Sequence, residues 1–380
     1  MFLVKAFTKQ DAKLPSHMIG TLEQMHGFKG NANWAPPRIV AHSEESNRAD
    51  QGNNIKATEY MDEEEVLEEK IQMLVELIKQ SKRCCAYTGA GLSRAAGIGD
   101  YASKAKNSIT AAVPKLKSPL DAQPTYSHRV LTALEREGYL HYYVQQNHDG
   151  LPQKAGFPQE KINEIHGAWY DPSNPVVQFS GQLRPDLFNW MLQNIYMEEK
   201  AIDLCLCLGT SLSGMNADRV ARTPAKRSKK NRGPIGTVII NLQQTRLDEL
   251  CVLRIWATLD EVFKRVAEKL ELDTSPVSID PPAELEDQFI VPYNAQGQYD
   301  PSVRMIWDLR GHKQIMVTNP ESSNFKATGE ILDKDEYGHY LVVVGGRKYM
   351  LGKWWPNCAM QGKWPFYLPF VNTNPTMVTL

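Results

Sequence analysis

Thr88-Gly89-Ala90-Gly91-Leu92-Ser93-Arg94-Ala95-Ala96-Gly97-Ile98-Gly99-Asp100 is the stretch that decides how this chain is read. A short apolar run, Cys84-Cys85-Ala86-Tyr87, leads into it and predicts a buried strand. The residues after it suit the opening of a helix. A strand, a glycine-rich turn and a helix start form a cradle for a pyrophosphate, because small residues let the backbone come close and N–H groups face the ligand. The spacing is not G-x-G-x-x-G, so the turn needs support from the rest of the chain.

Composition sets the outer limits. The chain has 380 residues, room for two domains and a tail, with 42% hydrophobic and 23% charged residues, as in a soluble globular protein. A formal net charge of −1 gives no overall pull toward nucleic acid or an anionic membrane. Six cysteines in this length suit a reducing compartment rather than a disulfide framework, with Cys205 and Cys207 read as core residues of a strand. No apolar run approaches the ~20 residues that span a bilayer. The N-terminal MFLVKAFTKQDAK is too short in apolar residues for a secretory signal. The expected location is cytoplasmic, with nuclear or cytoskeleton-associated as alternatives.

Residues 1–58, rich in Asn, Gly, Pro, Ser and Ala, read as an extended polar arm lying either on the protein's own body or on a partner. From Asp62 the pattern becomes helical, with Leu67, Ile71, Leu74 and Ile78 on one face behind acidic residues that suit a helix N-terminus. Helices are expected at 125–137 and 260–270, and strands at 83–88, 139–145, 202–208 and 236–242. Strands alternating with helices predict an α/β fold, a Rossmann-like parallel sheet with helices on both faces, over 59–272. Residues 273–299, with four prolines among acidic residues, read as a linker. Residues 300–380 read as a small β-rich module. Within it, Tyr340–Val344, Gly345-Gly346 and Arg347–Leu351 spell a hairpin, and the aromatics of 354–370 are expected to fill a small core. The basic run 222–232 reads as a solvated loop behind a helix at 214–221; it lacks interleaved aromatics, so nucleic acid is not an expected partner.

Four further motifs carry candidate chemistry. Gln145-Gln146-Asn147-His148-Asp149-Gly150 stands where a strand ends, the place where open α/β sheets bind ligands. Its Asn and Asp side chains suit an amide and a ribose. Asn163-Glu164-Ile165-His166-Gly167 offers an imidazole able to take a proton from a sugar hydroxyl near neutral pH. Gly209-Thr210-Ser211-Leu212 follows the 202–208 strand with small hydroxyl residues suited to a nucleotide, and Asn241 stands near the end of the next strand. Singly, each also fits an ordinary strand end or a structural histidine; their joint order and position raise them to a site.

Together these motifs resemble the sirtuin family of NAD-dependent deacylases. The resemblance runs from about residue 62 to 270, through GAGLSRAAGIGD (89–100), PTYSHRVLTALEREG (124–138), QNHDGLPQKAG (146–156), EIHG (164–167), VVQFSGQLRP (176–185), LCLGTSL (206–212) and IINLQ (239–243). It implies NAD as cofactor. Gly89, Ala90 and Gly91 would line the pyrophosphate. Asp100, Asn147 and Asp149 would surround the nicotinamide and its ribose, which Gln146 would also face. Tyr101 would shield the nicotinamide. His166 would be the general base for a ribose hydroxyl. In the Gly209 loop, Thr210 and Ser211 would contact phosphate or ribose. Asn241 would hold the adenosine ribose, and the backbone around Leu259 would meet the adenine. The implied reaction expels nicotinamide and passes the acyl group of an acyl-lysine to ADP-ribose.

The chain also departs from the family's pattern. Gly99, Tyr101 and Ala102 replace the usual Pro, Phe and Arg of the cofactor loop, and alanine supplies none of the contacts of a guanidinium. The family places two cysteine pairs between its His-Gly and V-V-x-F segments. Here only eight residues, Ala168 to Pro175, lie between, and none is cysteine. No zinc is therefore expected, with Trp169 and Tyr170 packing where that lobe would have sat. His148 stands in place of an apolar residue. Two classes of function follow. One is an NAD-consuming enzyme acting on an acylated-lysine protein, or a relative that hydrolyses NAD or transfers ADP-ribose; it rests on Asp100, Asn147, Asp149 and His166. The other is a weakly active or non-catalytic subunit of a larger, cytoskeletal assembly, with a structural protein partner held by the arm and the C-terminal module.

Overall fold

A computed structural model describes residues 20–47, 55–99, 108–110, 116, 118–176, 202–213, 216–277, 285–320, 322–362 and 367–378. In chain order the first elements are helix α1 (Leu22–His26), strands β1 (Arg38–Ala41) and β2 (Glu59–Met61), helix α2 (Glu64–Gln80), strand β3 (Cys84–Thr88), helix α3 (Tyr126–Arg136), strand β4 (Tyr142–Gln145), helix α4 (Leu151–Lys154) and strands β5 (Ile162–Glu164) and β6 (Leu204–Leu208). Helix α5 (Arg219–Lys229), strands β7 (Gly236–Ile240) and β8 (Leu253–Ile255) and helix α6 (Leu259–Lys269) complete this part.

Strands β3 to β8 form one parallel sheet in the order β5-β4-β3-β6-β7-β8. Alternation along each strand divides the core in two. Cys84, Ala86, Leu204, Leu206, Leu208, Val238 and Ile240 face α2, α3 and α6. Cys85, Tyr87, Cys205, Cys207 and Ile239 face α5 and the loops beside it. Both faces are covered, so the central strands are mostly apolar, and polar side chains of the sheet such as Thr237 and Arg254 are buried and hydrogen-bonded. Chain order runs outward from β3 in one direction, returns, and runs outward from β6 in the other. The crevice of the sheet therefore opens between the carboxyl ends of β3 and β6.

The expected polar arm is not extended over its described part. Thr21 caps α1 with a capping box, and β1 pairs antiparallel with β2 across the expected boundary at residue 58. The Phe28 amide donates to the Cys251 carbonyl (2.9 Å), Trp256 Nε1 to the Met25 carbonyl (2.6 Å) and Trp34 Nε1 to Glu69 (2.7 Å). Residues 20–47 thus lie on the protein's own body, and residues 1–19 are outside the described part.

Two further expectations change. The basic run is mostly helix, since α5 covers Arg219–Lys229 and buries Val220, Ala221, Pro224, Ala225 and Ser228 on one side. That stripe has helical spacing, but charges and an internal proline mask it. The expected linker 273–299 contains strand β9 (Gln288–Val291), which pairs with β10 (Arg304–Asp308).

The remaining elements are β11 (Gln314–Val317), β12 (Thr328–Lys334), β13 (Tyr340–Val344), β14 (Arg347–Leu351), α7 (Trp355–Met360), β15 (Phe370–Asn372) and β16 (Thr376–Val378). They make two antiparallel sheets, β16-β10-β9 and β14-β13-β12-β11-β15. The hairpin β13–β14 falls at the residues expected. Gly345 (φ 54°) and Gly346 (φ 77°) give it the two positive φ values of the tight hairpin turn. Trp307, Trp354 and Trp355 are buried in this module's core, and Leu120, Ala168 and Tyr170 of the α/β part join the same cluster.

Candidate functional site at the carboxyl edge of the parallel sheet

Three loops meet where β3, β4 and β6 end. Gly89–Leu92 follows β3 as a single tight turn, and Gly209 follows β6. These two backbones touch: the Gly91 amide donates to the Gly209 carbonyl (2.9 Å), and the Gly89 amide to the Leu208 carbonyl (3.0 Å). A Cβ on Gly91 would lie 2.7 Å from Gly209 Cα, and Gly209 itself has φ 58°. Glycine at both positions is what lets the loops cross. Further along the same loop, buried Leu212 has φ 47°, a strained value for a non-glycine residue.

The loop after β4 ties the other two together. The Gln146 amide group donates to Thr210 Oγ1 (2.8 Å). Asn147 Nδ2 donates to the Gly89 carbonyl and to Ser93 Oγ, both at 3.0 Å. Ser93 in turn donates to Asp149 Oδ2 (2.6 Å), whose other oxygen accepts the Leu151 amide (3.0 Å). Asp149 is buried, and burial pushes its carboxyl pKa up, against the pull of the Ser93 hydroxyl, the Leu151 amide, Lys154 and His148. Ser93 is the member of this chain that sequence reading passed over; its signal was its place inside the glycine-rich stretch.

His166 stands on the turn after β5, a strand absent from the sequence expectations. Its Nδ1 lies 3.0 Å from the Gln146 carbonyl. A carbonyl only accepts, so Nδ1 carries the hydrogen and the neutral ring keeps its lone pair on Nε2. Glu164, two residues before, is buried and accepts from Tyr170 Oη (2.6 Å), Gln153 (2.9 Å) and Asn174 (3.2 Å), which fixes the turn.

The structure therefore gathers Gly89, Ala90, Gly91, Gln146, Asn147, Asp149, His166, Gly209 and Thr210 at one edge of the sheet, with Ser211 next along its loop. Asn241 follows β7 on the same edge and donates to the Gln243 carbonyl (3.1 Å). Leu259 opens α6, but its side chain belongs to the main core, so only its backbone is placed to meet a ligand. Asp100 and Tyr101 lie outside the described residues. Among the described residues no group of three or more His, Cys, Asp or Glu side chains is placed to hold a metal ion.

The residues present suit NAD. The crossing glycines leave no side chain between the two loops, and Asn147, whose Nδ2 donates to Gly89 and Ser93, presents its side-chain oxygen as an acceptor; a diphosphate and a carboxamide suit that lining.

Comparison with known proteins gives the same direction. The Sir2 family profile matches residues 104–175. An NAD-dependent protein deacetylase SRT1 of Arabidopsis thaliana is 30% identical over 256 residues, which are 57% of this chain and 53% of that protein. The Homo sapiens NAD-dependent protein deacetylase sirtuin-7 is 25% identical over 284 residues, 62% of this chain and 68% of that one. The Drosophila melanogaster NAD-dependent protein deacetylase Sirt6 is 28% identical over 57% of this chain and 80% of its own. A solved Sir2 structure with a deacetylated p53 peptide and 3'-O-acetyl ADP-ribose aligns with 53% of this chain and 99% of its own, at 21% identity and a TM-score of 0.43. The chain spans about half the length of the first curated relatives it matches. By motif order and by these relatives, the α/β part of the chain is similar to the Sir2, or sirtuin, family.

Proposed function

We propose that this chain is an NAD-dependent protein-lysine deacylase that releases nicotinamide and moves the acyl group to ADP-ribose. The observation that carries the proposal is the His166 ring, held through Nδ1 on the Gln146 carbonyl with its basic nitrogen at Nε2. Bound NAD supplies a ribose carbon that becomes electrophilic when nicotinamide leaves. The protein's own share is to bind, orient and move a proton. Asn147 and Asp149 orient the nicotinamide end, with Ser93 locking both side chains. The Gly89, Gly91 and Gly209 amides are taken by backbone carbonyls, so the crossed loops would admit the diphosphate through the room their missing side chains leave, with Ala90 and Thr210 beside it. His166 takes a proton from a ribose hydroxyl at Nε2. Gln146 and Thr210, already joined, line the ribose.

The Sir2 relatives named above act in their own names as NAD-dependent deacetylases, which supports an acylated-lysine protein as substrate. Among the described residues no helix is long and apolar enough to cross a membrane. All six cysteines are buried and none forms a disulfide, which supports a reducing, cytoplasmic or nuclear setting. A second reading, a sirtuin-fold subunit without turnover, draws on one observation: Ala102 stands where the family has an arginine.

Nicotinamide release from NAD, measured with and without an acetyl-lysine peptide and with His166→Ala as control, separates these readings. Release that needs both peptide and His166 is the expected result. Release that needs His166 but not peptide would replace deacylation by NAD hydrolysis or ADP-ribosyl transfer. No release in any mixture would leave the structural subunit.

A further inference from the structure

Two histidines in this site anchor each other's loops. His148, on the loop after β4, has Nδ1 2.9 Å from the Gly167 carbonyl. His166, on the turn after β5, has Nδ1 3.0 Å from the Gln146 carbonyl. Each ring thus reaches across to the backbone of the segment that carries the other. Both acceptors are carbonyls, so both rings are in the Nδ1–H form when neutral. The rings lie 6.0 Å apart at 46°. On its other side His148 lies 5.4 Å from the Trp169 ring, and the Trp169 amide donates to the His148 carbonyl (3.0 Å). Behind the pair, the Ile165 amide donates to the Gln145 carbonyl (3.1 Å), which continues the β4–β5 register to the base of the turn.

We propose that His148 is a positioning residue for His166. It acts through the Gly167 carbonyl, holding the Glu164–Gly167 turn so that the His166 ring stays docked on Gln146. An apolar residue at 148 would fill space without reaching that carbonyl. The chemistry lost would be a single N–H donor, and an asparagine Nδ2 can replace a histidine Nδ1 donor at similar reach. The inference rests on the deacylase reading only where it concerns turnover; the hydrogen bonds themselves are testable without it.

The experiment compares wild type, His148→Leu and His148→Asn by imidazole 15N NMR and by nicotinamide release. The wild type should show both rings as the Nδ1–H tautomer. In His148→Leu, His166 should lose that single tautomer, kcat should fall about tenfold, and KM for NAD should stay within about twofold. His148→Asn should restore the His166 tautomer and most of kcat. An Nε2–H tautomer for His148 in the wild type, or an unchanged His166 signal in His148→Leu, would overturn the proposal. So would an equal loss of kcat in the Leu and Asn variants. If the wild type releases no nicotinamide, the deacylase reading fails, and the tautomer spectra still decide whether His148 holds His166.

Discussion

Tyr170 sets its ring 5.3 Å from Trp354, and through that contact the turn after Gly167 is fastened to the C-terminal sheets. The Gly352 amide donates to the Tyr170 carbonyl (3.1 Å), and Tyr170 Oη reaches back to Glu164 (2.6 Å). Lys154 Nζ lies 4.0 Å over the Trp354 ring while donating to the carbonyls of Leu120 and Ala122. Trp354 is thus the common wall of two segments of the α/β part. Replacing it with alanine should cost about 3–5 kcal/mol, the usual range for emptying a buried aromatic site. Chemical denaturation would measure it. A loss below about 1 kcal/mol would mean that the module and the Tyr170 turn are held by other contacts.

The crossing of the two glycine loops makes a sharper prediction. In Gly91→Ala the added methyl would meet Gly209 Cα at 2.7 Å and the Gly209 carbonyl oxygen at 2.9 Å. Both are backbone atoms and cannot swing away. The loops must separate, breaking the hydrogen bond from the Gly91 amide to Gly209. NAD affinity should fall at least about tenfold while global stability drops by only about 1–3 kcal/mol. Calorimetric titration with NAD, alongside a melting curve, checks both numbers. Wild-type affinity in this variant would show that the diphosphate does not lie where the loops cross.

His128 gives a pH signature. It is fully buried at the start of α3, where Nδ1 accepts from Thr125, and burial lowers its pKa to about 3. His26 is lowered to about 4 by burial and by Lys70. In both cases the unfolded chain takes up a proton near pH 6.5 and the folded protein does not. Their contribution is therefore lost as the pH falls from 6.5 toward those lower values, at up to about 1.4 kcal/mol per pH unit per residue. His128→Gln keeps the capping-box geometry and removes one of these slopes. Denaturation at pH 7, 6 and 5 should show a shallower fall for the variant. The same fall in both proteins would mean that His128 is already protonated when folded.

The physics of burial explains which of these features can be read from the chain alone. Strands β3, β6 and β7 are covered on both faces, so their five residues are all buried and, apart from Thr88 and Thr237, apolar or glycine; β3 and β6 end at glycine loops and β7 at Asn241. That local signal places Gly89, Gly209 and Asn241. The strand β5, Ile162–Glu164, has only three residues, two of them half-exposed, and no period to detect. Helix α5 hides its apolar stripe among lysines and arginines. The arm's bed depends on backbone pairing of Phe28 with Cys251, a contact between residues far apart in sequence. The same is true of Ser93 with Asp149 and of Tyr170 with Trp354, whose pairings no local window contains.

A buried ion pair beneath the arm supplies the last prediction. Lys70 Nζ lies 2.6 Å from Asp62 Oδ1, and both side chains are wholly inaccessible to solvent. The second Asp62 oxygen accepts the Trp256 amide (2.9 Å), and the Trp34 ring of the arm lies 5.6 Å from the ammonium. Burial works against both charges, raising the Asp62 pKa and lowering that of Lys70 to about 8. Their mutual attraction is what keeps either charge in place. Lys70→Met leaves the buried Asp62 carboxylate without its ion-pair partner, held only by the Trp256 amide and the field of Arg254, and should cost about 3–5 kcal/mol. Adding Asp62→Asn, whose side-chain oxygen can still accept from Trp256, removes that stranded charge and should recover part of the loss. The double variant should therefore be more stable than the sum of the two single losses predicts, by about 1–3 kcal/mol. Chemical denaturation of the four proteins closes the cycle. Additive losses would mean that Lys70 and Asp62 do not depend on each other, and that the arm is seated by its backbone contacts and by Trp34 alone.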